Sequence, residues 1–146
     1  MSFKLVKGYD MSQPMYCGTS SSVTAGAVCV FDVSTGAAVS PVIPATAALL
    51  SCNVAGVAMN TPAAADTHVN ILPIVPGQLW EYDCTSTPST AMLGKINDLT
   101  DASTVANSTT ISTAATGFVR NIQVVDTTNK IMRGYIVGAN LPKALS

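Results

Sequence analysis

The side chains best suited to catalysis or metal binding are few in this chain: one histidine, eight carboxylates and four cysteines in 146 residues. His68 sits in Asp66-Thr-His-Val-Asn70, at the start of an expected strand. A Ser-His-Asp arrangement needs an activated serine beside the imidazole, and the sequence contains no Gly-x-Ser-x-Gly elbow. His68 therefore reads as an exposed strand-edge or interface residue. Glu81 and Asp83 stand two apart and share one face of a strand. Such a pair could serve a glycosidase, but the neighbouring rings, Trp80 and Tyr82, point to the opposite face with Cys84. A solvated face is the simpler reading. Asp98 and Asp101 could hold calcium with backbone carbonyls, although helix capping accounts for Asp98 more cheaply. Cys17, Cys29, Cys52 and Cys84 show no Cys-x-x-Cys spacing, and the ten glycines are spread singly, as turn and bulge residues rather than a phosphate loop. The expectation is no catalytic residue, no metal site, no cofactor and no enzyme.

Composition narrows the function further. Apolar residues make up 48% of the chain, which suits a globular core, but charged residues make up only 10%, against roughly a quarter in an average soluble domain. Glu81 is the sole glutamate. Mean hydropathy is +0.39. A surface built from Thr, Ser and Asn belongs to a chain that is membrane-embedded, secreted or covered by partners. The most apolar stretch, Ala37 to Met59, is broken by Ser40, Pro41, Pro44, Ser51 and Asn53, so it lacks the run of about 18 apolar residues that a spanning helix needs. Eight aromatic residues are too few for the girdles of a transmembrane barrel. Residues 1–10 hold two lysines and an aspartate and no apolar signal segment. The cysteines are then expected to be reduced, small buried apolar residues. The seven Lys and Arg are scattered, so no basic patch for nucleic acid is expected. Burial against partners is the remaining account.

The elements that would carry such a surface are strands. Val and Thr are abundant and Ile recurs in the apolar runs, residues that fit a pleated sheet and lose rotamer freedom in a helix. Strands are expected at Phe3–Lys7, Ala27–Val33, Ala37–Ile43, Asn53–Asn60, His68–Val75, Gln78–Cys84, Thr90–Ile96, Phe118–Val125 and Ile131–Val137. Hairpin loops are expected at Ser34-Thr-Gly36 and Asp126-Thr-Thr-Asn129. Two short helices are possible, at Ala45–Leu50 and from Asp98 to about Val105. Residues 100–116, rich in Ser, Thr and Ala, read as a long loop or weak strand pair. The fold class is all-β, a small β-tulip-like barrel or sandwich. Residues 1–16 read as an extended N-terminal arm, with Phe3, Leu5, Val6, Tyr9, Met11 and Met15 as its partner-binding residues, and removing residues 1–14 is expected to leave a folded core. The remainder, 17–146, is a β-rich domain that could comprise two related units, about 20–76 and 77–140. Gly26-Ala-Val-Cys-Val-Phe-Asp32 and Gly77-Gln-Leu-Trp-Glu-Tyr-Asp83 share a pattern, as do Ala55-Gly-Val-Ala58 and Arg133-Gly-Tyr-Ile136.

The run Val23-Thr-Ala-Gly-Ala-Val-Cys-Val-Phe-Asp32, then Gly36, Ala55-Gly-Val-Ala-Met-Asn60, Ala63-Ala-Ala65, Val69-Asn-Ile71 and Pro76-Gly77 resembles the small head decoration (cement) proteins of tailed bacteriophages. The resemblance spans roughly residues 20 to 80 and rests on turn glycines and small apolar residues. It implies a homotrimer on the outer capsid surface of the virion, assembled in the host cytoplasm, that clamps neighbouring subunits of the major capsid protein. The alternatives are another virion component (a head fibre base, a tail or a minor capsid protein) and a surface carbohydrate-binding or adhesin module, whose aromatic platform would have to come from Trp80 and Tyr82.

Overall fold

The computed structural model describes residues 3–19, 22–34, 36, 38–45, 54–111 and 117–137, without the side chains of 109–111. Eleven strands occur among these residues: β1 Lys4–Lys7, β2 Gln13–Tyr16, β3 Val28–Phe31, β4 Val42–Pro44, β5 Val54–Ala58, β6 His68–Leu72, β7 Leu79–Cys84, β8 Ile96–Leu99, β9 Thr104–Ile111, β10 Val119–Asp126 and β11 Ile131–Ile136. The protein is nearly all-β, as its β-branched composition dictates. The one helical piece among the described residues is a 3-10 turn, Thr90–Met92.

The strands form two sheets. In the first, the order is β2-β6-β5-β3-β4. In the second, β7 pairs with β11, β11 with β10, β10 with β8 and β8 with β9. Strand β9 then returns parallel to β7 through Asp83↔Thr104 and Cys84↔Val105, which closes a five-stranded barrel. Closure consumes only the end of β7. The start of that same edge is taken by β1, through Lys4↔Glu81 and Leu5↔Trp80. Along β7 the alternation is clean: Trp80, Tyr82 and Cys84 are buried, and Leu79, Glu81 and Asp83 are half-buried on the outside. In β10 it is not, because bulges between Asn121 and Gln123 and between Val124 and Asp126 shift the register. Ile122 stays on the outward face of Arg120, the bulges bring Gln123 and Val125 onto that face as well, and each extra residue adds local twist. One core cluster joins the two sheets: Val28, Val30, Val57 and Leu72 from the first meet Trp80, Tyr82, Phe118 and Met132 from the second. A second cluster, with Cys17, Val23, Cys29, Val69 and Ile71, covers the other face of the first sheet.

The N-terminal segment departs most from the sequence reading. Residues 4–7 and 13–16 are edge strands of the barrel sheet and of the five-stranded sheet respectively, so the expected arm is a strap across its own molecule. Phe3 is 4% exposed. Its ring meets Trp80 edge-on at 6.5 Å, Tyr82 at 5.4 Å and Phe118 edge-on at 5.7 Å. Its amide donates to the Gly26 carbonyl at 3.0 Å. Between the two strands, the buried side chain of Gln78 holds the strap down. Gln78 Nε2 donates to the Tyr9 carbonyl at 2.8 Å and to that of Pro73 at 3.0 Å, while Oε1 accepts from Val75 N–H at 2.7 Å. Gly8, at φ +119°, leaves room for this side chain. Local periodicity could not show these strand pairings, because the partners of β1 and β2 lie more than fifty residues away in the chain.

Other elements also moved. Thr90–Ile96 is the 3-10 turn followed by the start of β8, and Asp98 lies inside β8 rather than capping a helix. The Ser/Thr-rich stretch supplies β9, whose residues gain a sheet by pairing with β8 and β7. Strand β4 is confined to Val42–Pro44, and residues 46–50 of the expected helix lie outside the described residues. The chain changes sheets between β1 and β2 and again between β6 and β7. Local likeness between the halves is plain: Gly26 (φ +84°) and Gly77 (φ +89°) each precede a strand, and the third residue on, Cys29 or Trp80, pairs with a glycine, Gly56 or Gly134. The chain order differs, however, because β6 follows β5 whereas β10 precedes β11.

The open edges share a device. Cys17 N–H donates to the Thr67 carbonyl, and alternate residues of β2 do likewise, so the nitrogen of Pro14 faces away from β6. Ala45 N–H donates to the Val28 carbonyl, which turns the nitrogen of Pro44 away from β3. Each proline sits where no ladder donor is needed. Strand β1 carries Lys4, Lys7 and a register shift at Val6.

Two expectations follow for stability. Phe3→Ala lowers unfolding free energy by roughly 3–5 kcal/mol, as for other buried aromatics, and removal of residues 1–14 abolishes cooperative unfolding rather than leaving a folded core; urea denaturation measures both. A Cβ at Gly56 would run into the Leu72 carbonyl and Ile71, and one at Gly134 into the Arg120 carbonyl and the Tyr82 hydroxyl. Gly56→Ala and Gly134→Ala therefore cost roughly 2–4 kcal/mol, whereas Gly77→Ala, with open space around it, costs about 1 kcal/mol from backbone strain alone.

Candidate functional site

The residues singled out for chemistry are dispersed. His68 is exposed on β6, bonded to the Thr67 hydroxyl at 2.9 Å and edge-on to Tyr16 of β2 at 6.0 Å. Glu81 is occupied by Arg133, whose Nε donates to Oε2 at 3.0 Å. Directly opposite residues continue this row across the outer barrel face: Gln123 beside Arg133, Arg133 beside Glu81, Glu81 beside Lys4. Asp98 accepts from the Leu99 amide within β8 and Asp101 from that of Ser103 in the following turn, both local contacts at 2.8 Å. Among the described residues no three His, Cys, Asp or Glu side chains gather as a metal site would require. Trp80 and Tyr82 are 1% and 0% exposed, so neither forms a platform for sugar rings.

Buried polar groups instead serve the barrel. Tyr82 Oη donates to Asn121 Oδ1 at 2.7 Å, and Asn121 Nδ2 donates to Asn97 Oδ1 at 2.5 Å and to the Met92 carbonyl at 3.3 Å. Burial, reinforced by Cys84, pushes the Tyr82 phenol well above its ordinary range, so it remains a donor. Asn107 behaves like an extra strand residue: it accepts from Ser86 N–H at 2.8 Å and donates to the Ser86 carbonyl at 2.9 Å. These bonds pair the amides and the phenol with one another and with the backbone, so their chemistry is structural; Trp80 Nε1, buried beside them, is the one side-chain N or O among the described residues that is buried without a partner. Sequence periodicity did not mark Asn97, Asn107 or Gln78, since a buried amide looks like any surface amide until its partners are known.

What distinguishes the molecule is its surface. No lysine or arginine occurs from residue 8 to residue 94. The stretch that builds the five-stranded sheet, β2 to β6, has Asp32 and Asp66 as its sole charged side chains. It is also where Tyr16, Val33, Val39 and Met59 lie exposed. The barrel sheet holds the cations Lys4, Lys7, Lys95, Arg120, Lys130 and Arg133. Of the residues expected to bind a partner, Phe3 is in the core, and Leu5 and Met15 pack against the two clusters. Phe3 is thereby corrected to a core residue: its ring is already covered by Trp80, Tyr82 and Phe118. Val6, Tyr9 and Met11 are 37%, 44% and 65% exposed and remain open to contact.

Two titrations follow. Burial pushes the Cys29 thiol up to about 12, with Cys17 adding to it, and the Cys84 thiol up to about 12, with Asp83 adding. Because thiolate is the reactive form, both resist alkylation at pH 8 in the native state and react on denaturation, as mass spectrometry would record. Asp126 accepts from the amides of Thr128 and Asn129 and from the Asn129 side chain, and these bonds hold its carboxyl below the usual range. Its folded pKa is depressed, so its support of the β10–β11 turn is complete above the ordinary aspartate pKa and is lost as pH falls through the lowered one. The Thr128 and Asn129 amide resonances should titrate with that low midpoint, and Asp126→Ala should remove the titration.

The fold is similar to that of the head fiber gp8.5 N base of bacteriophage phi29, with a TM-score of 0.54 and 14% sequence identity over 92% of this chain and 100% of that one. No protein-family model and no curated protein matches the sequence. At this identity the likeness is one of fold.

Proposed function

We propose that this chain is a structural component of a tailed-phage virion, mounted on the outer surface of the capsid and working in several copies, as a homotrimer. The observation that carries the reading is the fold likeness to a head fibre base, which spans nearly all of this chain and the whole of the other. The surface supports it. A side almost free of ionised groups costs little to desolvate, and repeated modest contacts over a shell give strong attachment without a deep pocket. The major capsid protein is the partner this implies. The five-stranded sheet unit, with the exposed Tyr9 and Met11 beside it, is the side suited to lie against it.

Two roles share this position. A cement protein clamps neighbouring capsid subunits, and a fibre base carries a projecting appendage. The fold likeness favours the base. The described strands, moreover, offer blunted edges rather than a free arm to bridge subunits.

Reconstruction of particles from a phage carrying this gene tests the reading. Density for the two-sheet module on the outer shell is expected, and density only in the tail, or none, would overturn it. Particles lacking the protein separate the roles. A cement protein's loss lowers the temperature or raises the salt sensitivity at which shells rupture, whereas a fibre base's loss leaves the shell intact and strips the appendage.

A further inference from the structure

The outer face of the barrel carries a compact apolar patch built around one arginine. Arg120 lies on β10 directly opposite Tyr135 of β11. Its Nη1 donates to the Gly94 carbonyl at 2.7 Å, which sets Leu93 beside it. Ile122, two residues along the same strand, shares its outward face. Leu93, Ile122 and Tyr135 are 38%, 38% and 42% exposed. A tyrosine and an arginine flanked by the aliphatic Leu93 and Ile122 on a paired ribbon is the composition of an interface hot spot. With one donor fixed on Gly94, the guanidinium keeps others for an acid.

The molecule presents a matching surface elsewhere. At the far end of the β3–β4 hairpin, Val33 and Val39 are 60% and 57% exposed, and Asp32 N–H bonded to the Pro41 carbonyl draws the two sides of this end together. Asp32 adds a carboxylate there, with Oδ1 accepting from Ser34 and no lysine or arginine anywhere on its sheet. An apolar tip with an acid meets an apolar patch with a cation. The two surfaces sit on different sheets, so the contact joins unlike faces of two copies and is heterologous; with a suitable rotation it closes into a ring.

We propose that the Arg120 patch of one copy receives the Asp32–Val33–Val39 end of the next, a head-to-tail contact that builds the oligomer. The inference rests on the reading above that the protein works in several copies, and it names the surfaces that hold them together.

Sedimentation of the full chain tests it. Ile122→Asp places an acid before Asp32 of the neighbour, and Val33→Lys places a cation before Arg120. Each is expected to weaken self-association by about 30-fold or more, the loss of one hot-spot residue. Each variant retains one intact face, so an equimolar mixture of the two forms a one-to-one pair that neither forms alone. Both sites are more than a third exposed, and the milder Ile122→Ser and Val33→Ser replace any variant whose circular dichroism departs from wild type. A monomeric wild type, a variant that assembles like wild type, or a mixture that stays monomeric would overturn the contact. Occupancy of the wild type on particles is read separately. A monomer that still decorates capsids removes the ring and keeps the virion reading, and a ring absent from particles does the reverse.

Discussion

Strand β7 is the constraint on which the architecture turns. One of its edges belongs to β11; the other is divided between β1 and β9. Its inward side chains, Trp80, Tyr82 and Cys84, fill the junction of the two sheets. If β9 ran further along β7 it would displace β1, and Phe3 would lose its place among the rings. If β1 ran further, the barrel would open. The register at Asp83↔Thr104 and Lys4↔Glu81 therefore fixes both closure and the path of the N-terminal strap. Gly134, opposite Trp80 on β11, is the accommodation this demands, since the Tyr82 hydroxyl and the Arg120 carbonyl occupy the space where its Cβ would lie.

Much of this was legible in the sequence. The alternation in residues 79–84 placed Trp80 and Tyr82 inward and Glu81 and Asp83 outward, as observed. Residues 28–31, 54–58, 68–72 and 131–136 fall within expected strands, because apolar β-branched runs bounded by turn residues carry their own signal. What escaped had no local signal. Strand β2, Gln-Pro-Met-Tyr, is short and interrupted by proline, and becomes a strand through β6 alone. Strand β9 is made of residues common in loops and acquires its ladder from β7 and β8. The strict alternation read for residues 118–125 failed at the bulges, which shift pairing without changing composition. Strand existence follows from the residues themselves, whereas edge strands and register follow from partners distant in sequence.

The polar groups divide between inside and outside in an uncommon way. The five-stranded sheet is nearly free of ionised side chains on its surface, while the barrel hides a tyrosine and several amides in its interior. Neutral amides can be satisfied in pairs without a titrating partner, so the barrel core holds its bonds across the pH range in which Tyr82 keeps its proton. The sheet unit in turn exposes little that salt could screen.

The proline-blunted borders of the five-stranded sheet have a consequence for crowded chains. A sheet that ends in Pro14 on one side and Pro44 on the other, among the described residues, gives a neighbour no continuous run of hydrogen-bonding groups to copy. Chains at high concentration are thus steered away from amyloid-like stacking, where backbone templating would win over side-chain fit. Any ordered contact with a neighbour would then have to come from the geometry of faces, which distinguishes a correct neighbour from a merely adjacent one.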